Sequence, residues 1–67
     1  MVNTQRIKDR IKETGKSGKI VAKDMNIAQP TLSQKINNIR PMTVDEAKVL
    51  ANVLMINREE FGDYFFV

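Results

Sequence analysis

The 67-residue chain has no cysteine and no histidine. The first absence excludes disulfides and thiolate metal sites, and the second removes the commonest general base and zinc ligand. An enzyme is therefore disfavoured, because neither a nucleophile with its base nor a metal cluster can be assembled from what remains. Nor does any apolar run approach the roughly 18 residues of a membrane span. Nothing resembles a signal peptide, so a cytoplasmic protein is expected. A chain this short buries only ~60% of the surface its unfolded form exposes, too little for both a core and a deep substrate cavity. No cofactor, metal or small-molecule ligand is expected. Without internal repeats or low-complexity segments, residues 1–67 read as one domain held together by helix packing alone.

The net charge is +3, and its distribution says more than its sum. Residues 1–40 carry nine Lys/Arg against three Asp/Glu, a net +6, whereas residues 41–67 carry two against five, a net −3. A polarised basic half suits phosphate binding, which releases counterions and weakens with salt. A solvated lysine-rich surface would give the same composition.

Along the chain, Asn3 or Thr4 caps a first helix in which Ile7 and Ile11 face inward and Gly15 provides the stop. The stretch GKSGK at 15–19 shares the tail of a phosphate-cradling P-loop. The full pattern requires a glycine where Arg10 stands and a strand before it, so nucleotide binding is rejected. Ser17 instead caps a second helix, with Ile20, Val21 and Met25 as its apolar stripe and Ala22 small enough for a close crossing. A tight turn follows at Met25-Asn26-Ile27, because Asn readily accepts the left-handed backbone needed where one helix stops and another starts. The third helix begins around Ala28 to Pro30, since proline is tolerated in a first turn. Leu32 and Ile36 share its inner face.

The outer surface of that helix bears amides and hydroxyls. Gln29, Thr31 and Gln34 are base-reading candidates, since Gln can pair with adenine N6 and N7 and a Thr methyl can pack on that of thymine. The start of the second helix, with Lys16, Ser17, Gly18 and Lys19, would suit a phosphate. Ser33 and Lys35 can reach phosphate or point to solvent. Asn37 and Asn38 end the helix, and Asn37 can also meet phosphate. Arg40 is a phosphate clamp, after Ile39 has returned to the core. For the polar face as a whole, an ordinary solvated helix surface remains the alternative.

Thr43 and Glu46 form a capping box with Met42 and Ala47 as a hydrophobic staple. Val44, Ala47, Leu50, Ala51 and Leu54 then give a fourth helix its core stripe. Asn57 and Glu60 repeat the box, with Ile56 against Phe61, to start a short terminal helix. Phe61, Tyr64, Phe65, Phe66 and Val67 cannot all point one way. The tail aromatics Phe61, Tyr64, Phe65 and Phe66 are therefore a candidate dimer contact, or else they wrap the end of a monomer's core.

Ala22, the turn residue Asn26 four later, Leu32 six further on and the run Gln-x-Thr-Leu-Ser-Gln together resemble the helix-turn-helix of Cro/cI-type (XRE-like) regulators. That resemblance implies an all-α, lambda-repressor-like bundle of about five short helices, with helices two and three as the motif. It also implies that Gln29, Pro30, Thr31 and Gln34 enter the major groove of double-stranded DNA, as a dimer on a roughly palindromic operator. Pro30 stands where relatives often carry a polar reader and offers only apolar contact. Where many relatives pair an Arg of the first helix with a Glu of the third, the positions here are Ile11 and Ile36, and an apolar contact is expected. A phage or prophage repressor occluding a promoter fits best. A protein-interaction module, antitoxin-like or anti-repressor, that has lost DNA binding is the other reading.

Overall fold

The computed structural model describes residues 1–66. Five α-helices follow one another: α1 (Thr4–Glu13), α2 (Gly18–Asp24), α3 (Gln29–Ile36), α4 (Val44–Val53) and α5 (Phe61–Phe65), the last entered through a single 3-10 turn at Arg58–Glu60. The described residues are all-helical, without a strand. Val67, expected among the tail's apolar residues, lies outside them.

Helix starts follow the expected chemistry. Asn3, Ser17, Thr43 and Asn57 each accept a hydrogen bond from the backbone N–H three residues on, a device whose loss typically costs ~1 kcal/mol. At Thr43 the box is complete, because Glu46 Oε1 accepts from the Thr43 N–H at 2.9 Å. The second box is only half made. Asn57 receives the Glu60 N–H, but no return bond from Glu60 occurs among the described residues.

Helix ends share one geometry. α2, α3 and α4 all close in a Schellman motif, in which the residue after the cap turns left-handed and the next N–H reaches back five positions. The left-handed residues are Asn26, Asn38 and Met55, at φ 60°, 62° and 55°. The returning bonds run from Ile27 to Ala22, Ile39 to Gln34 and Ile56 to Ala51. Such motifs pack the returning side chain over the residue it bonds. Ala22 and Ala51 are buried, and Ile27 and Ile56 lie against the core. Gln34 instead faces outward, so Ile39 is left 72% exposed and does not rejoin the core as expected.

The core comprises Ile7, Val21, Leu32, Leu50 and Leu54, all essentially sealed, with Val2, Ala22, Ile36, Ala47, Ala51, Tyr64 and Phe65 around them. Burying each large aliphatic contributes ~1.5–3 kcal/mol. Two expected stripe members fall outside. Ile20 in the short α2 is turned about 100° from buried Val21 and is half exposed; Val44, the first residue of α4, is likewise exposed. Ile11 is half-buried against the core and shares a groove with Ile36. Its neighbour Arg10 takes the ordering role: Nε and Nη2 donate to the carbonyls of Leu54 and Met55 at 2.9 and 3.0 Å, tying α1 to the end of α4.

The N-terminus is clamped in a way the sequence did not announce. Asn38 Oδ1 accepts from the Val2 N–H at 2.9 Å, while its Nδ2 donates to the Val2 carbonyl at 3.0 Å and Thr4 Oγ1 at 3.2 Å. Thr4 donates to the Ile36 carbonyl, and the Asn3 N–H to that of Tyr64. The left-handed bend at 38 and the clamp thus use the same residue.

Candidate nucleic-acid interface

α3 is held by its inner face. Leu32 and Ile36 are 2% and 5% exposed, which rotates Gln29, Pro30, Ser33, Gln34 and Asn37 to the surface. Thr31 lies toward the edge and is half-buried. Pro30 occupies the first turn, where its missing N–H leaves no bond unmade. The Gln29 amide lies over the start of α2, with Nε2 3.8 Å from where a Cβ on Gly18 would stand. Thus the starts of α2 and α3 adjoin, bringing Ser17, Gly18 and Gln29 onto one surface beside exposed Lys19.

Several expected phosphate contacts are committed elsewhere. Lys16 Nζ donates to Asp24 at 3.1 Å and to the Val53 carbonyl at 3.3 Å, so it ties α2 to the end of α4. Lys35 forms an ion pair with Glu46, its side chain only 13% exposed. That ammonium, followed by the Thr43 backbone N–H, holds the Glu46 carboxyl below its ordinary value of 4.5. Both lysines are captured for the same reason. Lys16 and Lys35 sit where the neighbouring helix presents an acid or a free carbonyl end, and a long flexible side chain reaches it. Asn37 turns its amide back onto the Ser33 carbonyl at 2.8 Å and finishes its own helix. Lys19, Ser33 and Arg40 remain exposed.

Two cations were missed. Lys8 and Lys12, one turn apart on α1, line the groove that Gln29, Ser33 and Asn37 border from α3. Neither forms an ion pair among the described residues. The only available signal was their spacing of four, shared with the core residues Ile7 and Ile11, and nothing local says that α1 lies beside α3.

The electrostatic balance of this face is one-sided. From residue 14 to residue 44 the chain carries a single acid, Asp24, and Lys16 neutralises it. Glu46, the acid that the last turn of α3 meets through Lys35, is neutralised by that lysine. The outer face of α3 is therefore neutral and amide-bearing, with Lys8, Lys12, Lys19 and Arg40 on its flanking elements.

The tail resolves differently from a dimer contact built of four aromatics. Tyr64 and Phe65 are buried, at 6% and 4% exposure, and Phe61 is half-buried, stacked 4.7 Å from the Phe65 ring. Arg6 lies 5.1 Å over the Tyr64 ring, a cation–π contact that covers it further. They finish the core, as a chain this small requires. Phe66 alone of the four projects, and it shares a surface depression with Met1 and Ile39. Among the described residues no helix is long and apolar enough to cross a membrane. No protein-family model, curated protein or solved structure matches the chain.

Proposed function

We propose that this protein is a sequence-specific double-stranded-DNA-binding transcriptional regulator of the Cro/cI type, built on a lambda-repressor-like domain. The observation that carries this reading is the outward, carboxylate-free face of α3. Two glutamines stand there on a helix held by Leu32 and Ile36, between Lys19 at one end and Arg40 at the other. Glutamine amides match the donor–acceptor pair of adenine in the major groove, and flanking cations hold the phosphates. Base reading falls to Gln29 and Gln34, with Pro30 and the edge of Thr31 adding apolar contact. Phosphate binding falls to Lys19, Arg40, Ser33 and the start of α2, joined by Lys8 and Lys12.

A homodimer on a two-fold operator fits this arrangement, with α3 helices ~34 Å apart. Its contact is the patch of exposed Met1, Ile39 and Phe66, which share one depression just past the end of α3. Seated there in the cytoplasm, a phage or prophage regulator would act by occluding polymerase.

Selection from random duplexes tests the reading. Enrichment of one short, roughly palindromic site is expected, and uniform binding of all duplexes would remove it. On the selected site Gln34→Ala should cost ~1–3 kcal/mol while leaving non-specific binding nearly unchanged. Equal losses on both DNAs would reduce Gln34 to a positioning residue.

A further inference from the structure

The groove between α1 and α3 has a composition that DNA binding does not explain. Its volume is about 380 Å³, and its floor is aliphatic, made of Ile11, Leu32 and Ile36. Lys8 and Lys12, neither in an ion pair among the described residues, line one side with Lys16, which Asp24 already neutralises, and the neutral Gln29, Ser33 and Asn37 line the other. A phosphate alone would use the lysines and leave the aliphatic floor idle. An uncharged apolar molecule would use the floor and leave two neighbouring cations unneutralised. Both features are used at once by a molecule with a single anionic head on an apolar body. Size sets the limit: 380 Å³ lies at the small end of ligand sites, which run ~300–1,000 Å³. Leu32 and Ile36 expose only 2% and 5% of their surfaces, so the accessible floor is far narrower than the stripe of a docking helix requires.

We propose that this groove binds a small anionic amphiphile, a carboxylate on a compact aliphatic body, and that its occupancy competes with DNA. The body lies chiefly on half-buried Ile11, with the narrow edges that Leu32 and Ile36 leave open, and the carboxylate is held by Lys8 and Lys12. Competition follows from shared groups, since Gln29, Ser33 and the two lysines belong to the DNA-binding surface proposed above. This second half rests on that reading; the binding itself does not. The sequence suggests no such ligand, because the walls come from helices about twenty residues apart.

Octanoate, kept below its self-association concentration, is the probe for the intact protein. Methyl resonances of Ile11, Leu32 and Ile36 should shift saturably, whereas acetate and 1-octanol, each lacking one half of the chemistry, should bind at least fivefold more weakly. The double variant Lys8→Gln/Lys12→Gln, confined to exposed positions, should weaken octanoate at least fivefold with the fold intact by circular dichroism. Non-saturating shifts, shifts centred on Phe66, or an affinity unchanged in the double variant would overturn the site. So would response only to an acidic amphipathic peptide. At constant ionic strength, octanoate should raise the apparent Kd for a selected duplex in step with its occupancy. Unaltered DNA affinity at full occupancy would overturn the competition. Octanoate binding by a protein that binds no DNA would instead overturn the regulator reading and leave the site standing.

Discussion

Asn38 serves both as the left-handed residue that ends α3 and as the clamp on the N-terminus, and two substitutions separate these roles. Asn38→Gly removes the side-chain bonds to Val2 and Thr4 but keeps a backbone free to hold φ 62°. The two partly buried bonds to Val2 contribute ~1 kcal/mol each. Glycine also brings extra unfolded-state entropy, of order 0.5–1 kcal/mol. A loss of roughly 2–3 kcal/mol is expected. Asn38→Ala loses the same bonds and forces an ordinary residue into the left-handed region, which costs ~1–2 kcal/mol. It should therefore be the less stable of the two, by up to about 1.5 kcal/mol once glycine's entropy is set against the strain. For a domain this small, each kcal/mol moves Tm by ~4–8 °C, well within what thermal and urea melts followed by circular dichroism resolve. A glycine variant within about 0.5 kcal/mol of the parent would refute the clamp. An alanine variant more stable than the glycine one would show that the left-handed bend at 38 is not under strain.

Two further outcomes test the surface and its electrostatics. Ile39→Asp combined with Phe66→Asp should turn a dimer into a monomer in analytical ultracentrifugation without lowering Tm appreciably, because both side chains are exposed; a dimer that persists would place the contact elsewhere. The Glu46 pKa is depressed by Lys35, so the stability it brings is fully present above about pH 4.5 and is lost as pH falls through the folded value. Glu46→Gln keeps a side chain able to complete the capping box but removes the charge. It should cost ~0.5–1 kcal/mol at pH 7 and progressively less as the pH falls below 4.5 and through the folded value, and a cost that does not change with pH in parallel melts would refute the ion pair.

Elements and their starts were legible because they depend on neighbours in sequence. A cap at Ser17, a box at Thr43 and Glu46, and Leu32 four before Ile36 are all decided within one helical turn. The same locality exposed the left-handed bend at Asn26 and the outward placement of Gln29 and Gln34, which needs only the knowledge that Leu32 and Ile36 point in. The bend at Met55 has no such local signal, since methionine carries no left-handed preference and the returning bond from Ile56 to Ala51 imposes the conformation.

What the sequence determined alone was the set of helices, their order, and which face of α3 turns outward, because backbone capping and hydrophobic period are short-range properties. Which cations are free was decided by the tertiary structure. Lys16 and Lys35 look like Lys8 and Lys12 in the sequence, yet packing puts an acid or a bare helix end beside the first two and an aliphatic groove beside the others. The burial of Tyr64 and Phe65, the exposure of Ile39 and Phe66, and the clamp of Asn38 on Val2 were settled in the same way. Each depends on which distant segment lies alongside, and the chain encodes that only through the sum of its packing.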